Sequence, residues 1–143
     1  MEPGTIESAK ILVVDDEPHV VAIIQAALAS GGYTNVLTTS QSSEVLDLYR
    51  SEAPDLIITD MKMPGVHGMA IIEELHDIVP DEDYLPILVV TGDQNVDRKL
   101  RALAWGAKDF LAKPFEVPEL LLRVRMLLET RQLFHRVSRS DAR

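Results

Sequence analysis

Short, unbroken apolar runs return along the chain at ILVV (11–14), DLIIT (55–59), ILVVT (87–91) and, more weakly, DFLA (109–112). The β-branched stretch YTNVLTT (33–39) fits a further strand. Runs of this length, bounded by polar turns, suit strands covered on both faces, as in parallel sheets. Between them, helical spacing occupies 18–30, 41–52, 67–78, 96–105 and 117 onwards. Gly31 and Gly32 follow the first of these, where glycine commonly closes a helix. Strand and helix alternating five times predict an α/β sheet with helices on both faces.

In such sheets, ligands bind outside the carboxyl ends of the strands. The first strand ends at Asp15-Asp16, the third at Asp60, the fourth at Thr91 and the fifth at Lys113. Taken singly, each has a plain structural reading: Asp16 as an N-cap ahead of Pro18, Asp60 as a turn former, Thr91 and Lys113 as packing or solvated groups. Together they place three carboxylates, a hydroxyl and an ammonium on one rim. Adjacent acids repel unless a positive charge sits between them, so the rim is expected to bind a cation. Hard carboxylate oxygens with no His or Cys nearby suit Mg²⁺. A carboxylate can also attack phosphorus to give an aspartyl phosphate, whose charge Mg²⁺ and a lysine neutralise. The Thr91 hydroxyl can donate to a further phosphoryl oxygen.

Composition narrows the field. The chain has 143 residues, 46% hydrophobic and 26% charged, with no cysteine. Disulfides and thiolate metal sites are therefore excluded. The start MEPGTIESAK lacks the basic-then-apolar layout of a signal peptide, and no apolar run approaches a membrane span. A cytoplasmic protein without membrane contact is expected. Residues 1–118 carry 8 basic and 20 acidic side chains, whereas 119–143 carry 6 basic and 3 acidic. An acidic body repels nucleic acid, so direct nucleic-acid binding is not expected.

The segments ILVVDDEP (11–18), IITDMKMPGVHG (57–68), VVTGD (89–93) and GAKDFLAKPF (106–115) resemble, in order and spacing, the receiver domain of response regulators in two-component signalling. The likeness spans roughly residues 8–132. It implies a flavodoxin-like, doubly wound five-stranded parallel sheet of order 2-1-3-4-5 with five helices. It implies Asp60 as phosphoacceptor, and Mg²⁺ held by Asp15, Asp16, Asp60 and the backbone carbonyl of Lys62. By the same resemblance, Thr91 and Lys113 contact the phosphoryl group, Phe110 is the rotating aromatic of the switch, and the Lys113–Pro114 bond is cis. The phosphodonor is then a sensor histidine kinase or a phosphotransfer protein. Such a chain is a signalling phosphoacceptor rather than an enzyme, beyond transfer to itself and slow autodephosphorylation.

Two flanking positions, Lys62 and Asp93, are expected to overhang the site and, by pairing across it, to hinder water and lengthen the phosphoryl lifetime; the alternative is two solvated charges. On the fourth helix, about 100° per residue puts Val96, Leu100, Leu103 and Ala107 in one stripe facing the sheet. Trp105 then lies opposite, beside Arg98 and Arg101, the composition of an interface. On the fifth helix, Val117, Leu121, Val124 and Leu128 form the expected core stripe with Leu120 and Leu127 at its margin. Leu122, Met126, Leu133 and Val137 form a second stripe on the opposite side. A homodimer through helices four and five is one use of these surfaces. The domain is read as 1–132, with 133–143 a helical extension or linker; after residue 130 the helix-compatible sequence RQLFHRVSRS is expected to have no receiver body left to pack on and to lead toward an output domain. Histidines 19, 67, 76 and 135 have no metal-like grouping.

Rival readings are weaker. A haloacid-dehalogenase-type aspartyl phosphatase wants an Asp two residues after the nucleophile, where Lys62 stands. A flavin- or nucleotide-binding protein needs a phosphate-cradling loop after the first strand, where DDEP supplies negative charge. A receiver-like scaffold not driven by phosphorylation is the other alternative, but its mark would be a missing Asp60, Lys113 or acidic pair.

Overall fold

The computed structural model describes residues 5–61 and 68–141. Lys62, His67 and most of the MKMPGVHG segment lie outside the described residues. The elements run β1 (Ile11–Val14), α1 (Pro18–Ser30), β2 (Val36–Thr39), α2 (Val45–Glu52), β3 (Leu56–Thr59), α3 (Gly68–Ile78), β4 (Ile87–Thr91), α4 (Val96–Ala104), β5 (Ala107–Ala112) and α5 (Val117–Asp141). All pairings are parallel and the strand order is β2-β1-β3-β4-β5. This is the flavodoxin-like arrangement that the motifs imply.

Every residue of β1, β3 and β4 is buried, and strand alternation divides them between two cores. Ile11, Val13, Leu56, Ile58, Leu88 and Val90 pack under α1 and α5. Leu12, Val14, Ile57, Ile87 and Val89 pack under the residues of α2, α3 and α4. Continuous apolar strands are thus accounted for by helices on both faces.

Element boundaries shift where local contacts override pattern. Tyr33 is not in a strand: its backbone N–H closes α1 on the Leu28 carbonyl at 3.0 Å, and its ring is buried. Gly32 makes that turn at φ +94°, a left-handed conformation glycine adopts freely. A 3₁₀ turn over Ser42–Glu44 precedes α2, and β5 begins two residues earlier than the apolar run. The Lys113–Pro114 bond is cis. No helix among the described residues is long and apolar enough to cross a membrane.

Helix α4 corrects the expected stripe. Val96, Leu100 and Leu103 are exposed, at 65%, 59% and 45%, and Ala102 is the fully buried residue of the helix. The inward face is Lys99, Ala102 and Trp105, because the small Ala102 lets the helix approach β5 while Trp105 covers the core at its end. Trp105 therefore folds back onto the body rather than standing out with Arg98 and Arg101, which are exposed. Periodicity locates the apolar stripe but not its direction.

Helix α5 also turns slightly from expectation. Leu120, Val124, Leu127 and Leu128 are its buried apolar residues, whereas Val117 is exposed and Leu121 only half-buried. Leu121 lies over Gly31, so close that a Cβ there would sit 2.7 Å from its Cδ2. The expectation that nothing remains to pack on after residue 130 is also corrected. Arg131 is buried, and its guanidinium donates to Asp55 Oδ1 at 3.1 Å and to the Tyr84 carbonyl at 2.9 Å. Phe134 stacks on Tyr84 with ring centroids 4.7 Å apart, and the His135 Nε2 lies 2.6 Å from the Asp83 carbonyl. The turn Asp81–Asp83 after α3 supplies this extra surface.

The two faces of α4 give a direct check. Ala102→Leu, which overfills a fully buried site, is expected to cost about 1–3 kcal/mol, while Leu100→Ala changes stability by less than about 0.5 kcal/mol, both read from urea unfolding.

Candidate functional site

The carboxyl ends of β1, β3, β4 and β5 bring the predicted groups together. Asp15 and Asp60 are buried, at 2% and 7% exposure. The Lys113 ammonium lies between them, donating to Asp15 Oδ2 at 3.0 Å and to Asp60 Oδ2 at 2.9 Å. The other Asp15 oxygen accepts the Glu17 backbone N–H at 3.0 Å, which ties the loop after β1 to the carboxylate. Lys113 is aimed by its own backbone, whose N–H extends the β4–β5 ladder onto the Thr91 carbonyl at 3.0 Å.

Burial of the Lys113 ammonium works against its charged form, but the hydrogen bonds it donates to Asp60 and Asp15 outweigh it, and its pKa is raised. Asp16 is more open. Its pKa is raised, first by the slight burial of its carboxyl and then by the Asp15 carboxylate beside it.

Thr91 is buried beside this group, and its Oγ1 accepts the Asp93 backbone N–H at 3.1 Å, leaving the hydroxyl hydrogen to donate elsewhere. Asp93 is drawn toward α4: its carboxylate accepts from the Asn95 backbone N–H at 3.0 Å and pairs with Arg98 Nη1 at 2.7 Å. The Lys62 half of the expected Lys62–Asp93 pairing lies outside the described residues, as does the Lys62 carbonyl. Phe110 is half-buried at the edge of the core, with the Lys99 ammonium 5.9 Å from its ring centroid.

Two residues carry more than their sequence pattern suggests. Arg98 reads as an interface residue, yet it holds Asp93 two residues from Thr91. Lys99 has no motif to mark it, yet it is the neighbour of Phe110. The Asn95 side chain caps α4 by accepting the Arg98 N–H at 2.9 Å, a short-range signal that locates both at the mouth of the site. Of the other interface candidates, Trp105 is half-buried, while Arg101, Leu122, Met126, Leu133 and Val137 are exposed as expected.

The donor set fits a hard divalent cation. Among the described residues no three His, Cys, Asp or Glu are grouped to hold a metal. Mg²⁺ does not need that: it is typically bound by one or two carboxylates, with waters and phosphate oxygens completing the octahedron. Asp15 and Asp60 supply such a pair, with Asp16 adjacent.

A doubly wound parallel sheet with buried acids and a lysine gathered at its carboxyl rim defines the class of the fold and site. The model of the response regulator receiver domain family matches residues 11–125, and the chain belongs to that family. Response regulator MprA of Mycobacterium ulcerans is 37% identical over 126 residues, covering 88% of this chain and 53% of that protein. A probable transcriptional regulator, ycf27, of Porphyridium aerugineum is 32% identical over 123 residues, covering 86% of this chain and 49% of its own length. The chain thus spans about half the length of the curated relatives it matches. Among solved structures, a receiver domain protein from Clostridium thermocellum superposes with a TM-score of 0.78 at 34% identity, covering 87% of this chain and 98% of that one. NtrX from Brucella abortus, in complex with ATP, gives 0.82 at 31% identity, covering 92% of this chain and 29% of its own. Receiver domains of this family act as phosphorylation-based switches and typically use Mg²⁺.

The raised Asp16 pKa sets a sign for cation binding. A carboxyl with a raised pKa keeps its proton to higher pH than a free Asp, and Mg²⁺ must displace that proton. Calorimetric Mg²⁺ affinity is therefore expected to weaken as pH is lowered, starting at a higher pH than a free Asp carboxyl would set, and Asp16→Asn is expected to flatten that dependence.

Proposed function

We propose that this chain is a Mg²⁺-dependent phosphoacceptor whose Asp60 takes a phosphoryl group from a phosphohistidine on a sensor histidine kinase or phosphotransfer protein. The observation that carries the reading is the Lys113 ammonium held at 2.9 Å from Asp60 and 3.0 Å from Asp15. An Asp60 oxygen attacks phosphorus, a new P–O bond forms as the donor P–N bond breaks, and the imidazole leaves with the electron pair. Asp15, Asp16 and Asp60, with the Lys62 carbonyl that the resemblance implies, would hold Mg²⁺, which would supply charge neutralisation for the phosphoryl oxygens. Lys113 moves from Asp60 to a phosphoryl oxygen and keeps its ion pair with Asp15. Thr91 donates its hydroxyl to a further oxygen, and the space it leaves admits Phe110.

Thr91 and Phe110 then couple the site to α4. Asp93, next to Thr91, is bound to Arg98, and Phe110 lies by Lys99. A shift of the loop after β4 therefore pulls on the first turns of α4, whose outer face carries the exposed Val96, Leu100 and Leu103. The phosphorylated population presents a different face to a partner or output domain, in proportion to the partner's preference for that state. Lys62, two residues after the phosphoacceptor, and Asp93, two after Thr91, set the phosphoryl lifetime. The chain acts in the cytoplasm as a switch rather than an enzyme, with 1–132 as receiver and 133–143 as its helical extension.

Incubation with acetyl phosphate and Mg²⁺, followed by intact mass, is expected to give one phosphoryl adduct. The adduct is absent with EDTA and absent in Asp60→Asn. An adduct that persists in Asp60→Asn contradicts the assignment of the phosphoacceptor.

A further inference from the structure

At the amino ends of β4 and β5, away from the rim that holds Asp60, the ends of α3 and α4 leave a half-open cavity of about 110 Å³ between them. Its apolar lining is Leu75, Val79, Leu85 and Ile87, with the half-buried Trp105 as one wall. Next to Trp105, a Cβ placed on Gly106 would meet no atom within 4 Å beyond its chain neighbours, so this wall stands open to an incoming group. Size restricts the occupant. Pockets for drug-sized ligands measure roughly 300–1,000 Å³, whereas a cavity of roughly 150 Å³ is filled by one benzene ring. A space of about 110 Å³ takes a single aliphatic side chain, not a nucleotide or a cofactor.

Charge restricts it further. Asp81 lines the mouth and Glu82 follows it, while Glu73 and Asp77 are exposed on α3 to either side of the lining residue His76. Among the described residues none of these four acids makes an ion pair, whereas the adjacent Asp83 is paired with Arg131. Glu73 and Asp77 stand four apart on one helix, a like-charge pair that weakens it. Asp77 is also in the last turn of α3, where the helix's own partial charge is negative. These carboxylates therefore work against the helix that carries them and favour an external cation. Lys108, on the β5 wall, rests its ammonium over the Tyr84 ring, 5.1 Å from the centroid, rather than on the acids.

We propose that this cavity docks a basic segment of a partner protein. One aliphatic side chain of the segment is seated against Trp105, and the Lys or Arg residues beside it pair with Glu73, Asp77, Asp81 and Glu82. An apolar anchor in a cavity supplies affinity, and complementary charge at its edge supplies selectivity. The surface shares no residue with the Asp60 rim and stands independently of phosphoryl transfer.

Trp105 is the only tryptophan of the chain, so its fluorescence reads the cavity directly. Short random peptides displayed on phage, selected on the full chain and counter-selected on Val79→Phe, are expected to yield one Leu, Ile or Met among several Lys or Arg. Synthetic copies of the enriched peptides are expected to shift the Trp105 emission saturably, and Ala in place of the aliphatic residue abolishes the shift. Asp77→Lys combined with Asp81→Lys is expected to weaken binding at least about tenfold. That variant changes exposed positions only, and so carries the test where Val79→Phe disturbs packing. Enriched peptides that lack basic residues, or that bind the lysine variant equally well, overturn the partner's chemistry. Peptides that leave Trp105 emission unchanged, or no enrichment over the counter-selection, overturn the site.

Discussion

Asp15 and Asp60 are both buried, and carboxylates in that position repel one another unless a cation intervenes. The Lys113 ammonium, at 3.0 and 2.9 Å, provides that cation. The geometry of the fold follows this need closely. Parallel pairing of β1 with β3, and of β3 with β4 and β5 in turn, sets the ends of four strands side by side. Two continuous apolar cores hold the strands in register. Because the lysine is held by backbone pairing with Thr91, its position is a property of the sheet rather than of a flexible loop.

An ion pair that neutralises two acids is also a store of directed charge. The Lys113 backbone N–H is anchored on the carbonyl of Thr91 at the end of β4. The Thr91 hydroxyl receives the Asp93 N–H, and Asp93 is bound to Arg98. Charge at the rim is thereby joined to α4 through two consecutive polar contacts. Helix α5 is different: its core leucines and Arg131 fix it to the body, so it presents a surface without itself being loosely held.

Much of this is legible in the chain. Apolar runs locate β1, β3 and β4 almost residue by residue, because strands covered on both faces leave no polar positions to confuse the pattern. The polar groups at their ends converge for the same reason: parallel strands finish on one rim. What is not legible depends on direction. The Val96–Leu100–Leu103 stripe is real, but periodicity does not say which side the sheet lies on, and Ala102 with Trp105 takes the inner face. Tyr33 has strand-like neighbours, yet its N–H is claimed by the end of α1. Arg131, Phe134 and His135 pack on a turn some fifty residues earlier, a contact no local pattern encodes.

A double-mutant cycle on urea stability, measured in EDTA, tests the central interaction most directly. The account predicts that Lys113→Met is strongly destabilising in the native background and much less so alongside Asp60→Asn, a coupling of about 1–3 kcal/mol. Equal losses in the two backgrounds would show that Lys113 is not the charge that lets Asp15 and Asp60 share the rim.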